Sequence, residues 1–156
     1  MTRKADFDAE QWTTITSAPA LAATAVAAAD RGGTLREAVS LAKAYQQARR
    51  AEHSELVEAI LSSPPAMQPP EVSDAAGLAD HAAAQVRAAS ELLGERATAE
   101  ELREYGDFVT AVCAAVASAS KEGGVLGFGG KPVSDAEQAV VDRIATELGE
   151  RPGAAG

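Results

Sequence analysis

The chain has 156 residues and a net charge of −9, with 23 acidic residues against 14 basic ones. Because lysine and arginine never gather into a stripe, the charge pattern argues against nucleic acid as a partner. Hydrophobic residues supply 46% of the chain but aromatic residues only 4%, so we expect closely spaced, alanine-rich helices around a thin core.

The first helix has a recognisable start. Asp8 to Gln11 follows the capping-box pattern, in which two side chains satisfy the first free backbone N–H groups. Phe7 and Trp12 flank this box at the spacing of a hydrophobic staple. Since proline has no N–H to donate within a helix, we expect Pro19 to kink or divide the helical stretch.

A second helix follows the turn Arg31-Gly32-Gly33. Thr34 and Glu37 form the ends of another capping box, and the apolar spacing after it predicts a helix that continues to Leu61. The proline-rich stretch 63–72 cannot continue a helix. We therefore expect it to form a stiff linker near the middle of the chain.

Three more helices are predicted after this linker. The third follows Asp74 and ends at Gly94, the fourth begins with the capping box at 98–101, and the fifth begins with that at 134–137. Each carries apolar residues at helical spacing, which predicts one buried face. We expect residues 151–156 to be a disordered tail.

Five glycines interrupt the chain at 123–130. A phosphate-binding P-loop would need glycine at the position of Val125 and serine or threonine at that of Pro132, so the pattern fails twice. A loop between two helices explains the glycines better. Leu126 and Phe128 are apolar, and we expect them either to cap the end of the bundle or to anchor a partner or a second subunit.

These elements predict an all-α fold, a compact bundle of five or six helices. We expect a single domain over 1–150, with 6–62 and 73–150 as candidate halves on either side of the linker. An alanine-rich helix, a double glycine and a capping box occur in both halves. Duplication of a helical hairpin would explain this repetition.

Sequence motifs for catalysis are missing. The chain contains no Glu-x-x-His, no His-Glu-x-x-His and no Gly-x-Ser-x-Gly, so we expect neither an enzyme nor a cofactor. We interpret His53 as part of a solvated helix face and treat a ligand role, there and at His81, as the alternative. Cys113 lies among apolar residues and is expected to be a small buried side chain.

Two alanine-rich helices joined by a turn with aspartate and glycine resemble the TerB-like helical family, which is associated with tellurite resistance and stress response. The matching residues are Ala29-Asp30 and Glu37, with Arg31 inserted and Gly32-Gly33 displaced. The resemblance implies a helical fold and a metal-ion or stress-related function, with Asp30 and Glu37 as candidate metal ligands. A helix C-terminus and an N-terminal cap explain the same two residues.

We therefore expect a non-enzymatic binding or stress-associated protein. The alternative is an acidic interaction module, of the inhibitor or immunity type, that binds a basic partner. A catalytic or ligand-binding bundle is the least favoured reading. The partner would be another protein or a second copy of the chain. Because the sequence has neither a signal-peptide core nor a long apolar run, we expect a cytoplasmic protein that does not enter a membrane.

Overall fold

The computed structural model describes residues 1–29, 34–63, 74–122 and 135–149, including their side chains except at 34–40 and 119–122. A 3₁₀ turn, Lys4–Asp6, precedes the α-helices. These are α1 (Ala9–Ala29), α2 (Thr34–Ala48), α3 (Glu55–Ser62), α4 (Ala75–Gly94), α5 (Ala99–Glu122) and α6 (Asp135–Glu147). No strand occurs within these ranges. The prediction of an all-α bundle is thus confirmed, with six α-helices in the part of the chain described.

Helix α1 is the centre of the bundle. It packs most extensively against α4, then α5, and also contacts α6 and α2. Its buried positions occur on every side of the helix: Trp12, Ile15, Thr16, Ala18, Pro19, Ala20, Leu21, Ala22, Ala23, Ala25, Val26 and Ala27. A helix that is apolar all round belongs in a core. The many alanines let its neighbours approach closely, which keeps this core compact.

The start of α1 follows the sequence prediction. Asp8 Oδ1 accepts from the N–H of Gln11 at 2.8 Å, and Gln11 Oε1 accepts from the N–H of Asp8 at 3.1 Å. The rings of Phe7 and Trp12 lie 6.1 Å apart, as a hydrophobic staple requires. The indole N–H of Trp12 donates to Ser63 Oγ at 3.2 Å, which joins the start of α1 to the end of α3.

Pro19 does not divide the first helix. Helix α1 continues through it as one run, so that part of the prediction is wrong. Proline leaves the carbonyl four residues earlier, that of Ile15, without its helical donor. The hydroxyl of Tyr105, on α5, donates to this carbonyl at 2.9 Å. A donor from a neighbouring helix therefore replaces the missing N–H.

The prediction of one helix from Thr34 to Leu61 is also wrong. Helix α2 ends at Ala48, and residues 49–54 connect it to the separate helix α3. Ser54 caps α3, because its Oγ accepts from the N–H of Val57 at 3.5 Å. His53 Nε2 donates to the Ala48 carbonyl oxygen at the end of α2, which also accepts from the N–H of Ala51 at 3.1 Å.

Several predictions fall outside the described residues. Most of the proposed linker, the glycine-rich stretch and the tail lie there, and the duplication of two halves stays a prediction. The candidate metal ligand Asp30 and the candidate interaction residues Leu126 and Phe128 lie there too. Glu37 belongs to α2, but its side chain is not among those described. None of the described helices combines the length and apolarity needed to cross a membrane.

Candidate functional site: an acidic groove

A groove of about 520 Å³ opens where the connection between α2 and α3 meets the first turns of α5. The connection contributes Glu52 to Ser54, and α3 contributes Glu55. Among the described residues, the lining consists of Met1, Glu52, His53, Ser54, Glu55, Thr98, Glu100, Glu101, Arg103, Glu104 and Asp107. The break between α2 and α3 therefore forms one wall, and α5 forms the other.

The lining is strongly acidic. Six of the eleven described lining residues are aspartate or glutamate, and Arg103 is the one lysine or arginine among them. Glu52, Glu55, Glu100 and Asp107 are exposed to solvent. A concave surface lined by one sign of charge concentrates its field and attracts groups of the opposite charge. The groove is thus suited to positively charged groups.

His53 holds the two walls together. Its Nε2 donates to the Ala48 carbonyl oxygen at 2.6 Å, and its Nδ1 lies 3.3 Å from Glu104 Oε1. Its side chain is only 15% exposed, so the expectation of a solvated helix face is wrong. The same Glu104 oxygen accepts from the backbone N–H of Ser54 at 2.8 Å. Glu104 thereby fixes the connection to α5 through two neighbouring residues.

The contacts of His53 limit what the groove can do chemically. Both ring nitrogens face protein oxygens, so neither is free to exchange a proton with a molecule in the groove. The hydroxyl of Ser54 is engaged at the start of α3 rather than directed at the imidazole. Among the residues described, no three His, Cys, Asp or Glu side chains are grouped so that they could hold a metal ion. Both ring nitrogens of His53 are thus engaged within the walls of the groove.

Glu101 forms a buried anchor beside the exposed carboxylates. One of its oxygens accepts from the N–H of Thr98 at 2.9 Å, in the capping box that the sequence predicts. Its carboxylate also accepts from the N–H of Thr2 at 2.9 Å and from the Thr2 hydroxyl at 2.8 Å. The hydrogen bond from the Thr98 N–H contributes most to lowering the pKa of Glu101, and the two Thr2 donors lower it further. The pKa is therefore about 2 despite the burial of Glu101. Glu101 is therefore ionised at neutral pH and ties the first residues of the chain to α5.

The N-terminal segment has two further attachments near the groove. Arg96 lies over the ring of Phe7, with its guanidinium carbon 5.6 Å from the ring centre, and also donates to the Asp6 carbonyl oxygen. Arg3 approaches Glu55 at 3.7 Å, but both side chains are largely exposed. Such an exposed pair contributes little stability. The position of the segment thus depends mainly on Glu101 and Arg96.

The groove was not predicted from the sequence, although the acidic face of α5 could have been. Glu100, Glu104 and Asp107 lie three or four residues apart, which places them on one face of α5. The opposite wall could not be predicted, because Glu52 would not lie beside α5 in a continuous helix to Leu61.

No protein-family model, curated protein or solved structure matches this chain. The resemblance to TerB-like proteins therefore stays a prediction, and what the groove binds has to be inferred from its own residues.

Proposed function

We propose that the protein is a non-enzymatic binding protein whose acidic groove receives a basic segment of a protein partner. The observation that carries this proposal is the charge of the lining, with six carboxyl-bearing side chains around one concave surface. This corresponds to the acidic interaction module, of the inhibitor or immunity type, considered from the sequence. Complementary charge would speed the encounter with such a partner and select against acidic ones.

A protein segment suits the groove better than a single ion. The exposed carboxylates are distributed over the connection, α3 and α5, rather than gathered around one point. Hard cations prefer several oxygens at short range, whereas lysine and arginine side chains along a segment can each pair with a different carboxylate. The size of the groove, about 520 Å³, allows more than one such side chain to enter.

Binding of a short peptide rich in lysine and arginine tests the proposal. Fluorescence anisotropy of the labelled peptide should report binding that weakens as sodium chloride rises, because salt screens exposed charges. A triple variant with Glu52→Gln, Glu100→Gln and Asp107→Asn should lose at least about tenfold in affinity, equivalent to about 1.4 kcal/mol. These three side chains are exposed, and none of the described bonds that hold the groove together uses them.

A control triple variant separates the groove from net charge. Glu10, Glu91 and Glu95 are also exposed but lie outside the lining. Their replacement by glutamine changes the net charge by the same three units. The proposal requires the control to retain most of the affinity. Equal losses in the two variants would mean that the peptide senses only overall charge, and absence of binding at low salt would refute the proposal.

The TerB-like resemblance supplies a second, stress-associated proposal with a separate test. If Asp30 and Glu37 form an ion site, a divalent cation should raise the melting temperature, and Asp30→Ala should remove that rise. We expect no rise with calcium, magnesium, manganese or zinc, because two carboxylates provide fewer oxygens than a hard-cation site usually has. A rise that Asp30→Ala abolishes would favour the ion-binding function.

A further inference from the structure

Helix α6 buries little of itself. Of its 13 residues, only Glu137 and Ile144 are buried, whereas α1 buries residues on all its sides. Val140 and Val141 are half-buried and pack at the margin of the core. Apolar area removed from water is the main force that holds a helix on a bundle. This force is therefore concentrated at Ile144 and is small for α6 as a whole.

One of the two buried residues carries a carboxyl group. Glu137 is 1% exposed and belongs to the first turn of α6. Burial of a carboxyl group removes its hydration, and its contacts within the protein have to offset that loss. Glu137 therefore supplies little of the apolar burial that holds a helix on a bundle.

Two ion pairs join the exposed side of α6 to α4. Arg87 forms a bidentate pair with Glu147, at 2.7 and 2.9 Å, and Arg143 pairs with Asp80. Both arginines are on the outside of the bundle, with side chains 62% and 47% exposed, whereas the Glu147 side chain is only 14% exposed. Pairs with a solvent-exposed member are sensitive to salt. The two pairs therefore add a salt-dependent contribution to the attachment of α6.

We propose that α6 is a detachable helix, which opens as a unit while α1 to α5 remain folded. The α4–α6 ion pairs set the equilibrium between the closed and open forms. Since α6 packs on α1, α4 and α5, its opening uncovers apolar surface that the closed bundle keeps from water. Local opening of this kind, below the free energy of global unfolding, is common at weakly packed elements.

Native-state hydrogen exchange of the full chain tests this proposal. The hydrogen-bonded amides at 139–147 should exchange faster than those in the middle of α1, and their exchange should depend less on added denaturant, because opening exposes less surface than unfolding does. In a variant with Arg87→Gln and Arg143→Gln, exchange in α6 should accelerate by about 2- to 30-fold, the effect of losing two exposed pairs. Exchange in α1 should not change.

The control variant carries Lys43→Gln and Arg50→Gln. Both residues are exposed and lie outside α4 and α6, and the change in net charge is the same. This variant should leave α6 exchange at the wild-type rate. Sodium chloride, added to the wild type, should accelerate α6 relative to α1. In the wild type, the proposal fails if the slowest amides of α6 exchange as slowly as those of α1. It also fails if the variants change the exchange rates of α1 and α6 by the same factor, because α6 then does not open separately.

Discussion

The hydroxyl of Tyr105 donates a 2.9 Å hydrogen bond to the carbonyl oxygen of Ile15, which Pro19 leaves without a helical donor. Tyr105 and Ile15 are both completely buried, so water cannot supply the missing bond. Burial also raises the pKa of the Tyr105 phenol, which keeps it protonated as a donor. A proline in the central helix is thus tolerated because another helix provides the compensating group.

Tyr105→Phe should lower the free energy of unfolding by about 1–3 kcal/mol, because it leaves a buried carbonyl without a partner. In a Pro19→Ala background the cost should be smaller, since the N–H of alanine can donate to the Ile15 carbonyl oxygen. Urea denaturation of the two single variants and the double variant measures this coupling.

Tyr45 provides the matched control. It packs edge-on against Phe108, with ring centres 5.6 Å apart, but its buried hydroxyl has no hydrogen-bond partner in the part of the chain that the structure describes. Tyr45→Phe should therefore be neutral or stabilising. Two results would contradict the role assigned to the Tyr105 hydroxyl. One is an equal loss of stability in Tyr45→Phe and Tyr105→Phe. The other is a loss in Tyr105→Phe that stays the same when position 19 is alanine.

Glu101 should make stability depend on pH in acid. Its pKa is about 2 in the folded chain, against an ordinary value of about 4.3 when unfolded. Because folding lowers the pKa, ionised Glu101 stabilises the fold above the unfolded value, and this contribution disappears as the pH falls towards 2. Glu101→Gln should cost about 1–3 kcal/mol at neutral pH. The difference in the free energy of unfolding between Glu101→Gln and the wild type should shrink as the pH falls from 5 to 2. A constant difference over this range would contradict the prediction.

Glu104 should matter more for stability than its exposed neighbour Asp107. Glu104→Ala removes the acceptor for the Ser54 N–H and the partner of His53 Nδ1, so we expect a loss of about 1–3 kcal/mol and faster hydrogen exchange at Ser54. Asp107→Ala removes a carboxylate one turn further along α5, and its effect should stay within about 0.5 kcal/mol. Similar thermal unfolding of the two variants would show that the connection does not depend on Glu104.

Cys113 should be unreactive in the folded protein. It is completely buried, and burial raises the pKa of its thiol to about 12. Since the thiolate is the reactive form, labelling by a thiol reagent at neutral pH should be at least about 100-fold slower than in urea. Cys113→Ser gives the background rate. Comparable rates in the native and unfolded chains would mean that the thiol is accessible.

Local sequence determined where several helices begin and which faces they bury. The boxes at Asp8 and Thr98 form as predicted, because their donors and acceptors lie within one turn of each other. The prediction of a small buried side chain at Cys113 is also confirmed, since its neighbours repeat apolar residues at helical spacing. Such features need no knowledge of the rest of the chain.

Only the tertiary structure decided the continuity of α1, the end of α2 and the existence of the groove. The bond from Tyr105 to Ile15 spans 90 residues, and that from Ser54 to Glu104 spans 50. The apolar spacing after Thr34 predicted that the helix continues through 49–54, but His53 and Glu104 stabilise a break there instead. Hydrogen bonds between distant residues can outweigh local preference, because propensities differ by only about 1 kcal/mol or less per residue outside proline. The groove exists because of that break, which places Glu52 and Glu55 opposite the acidic residues of α5.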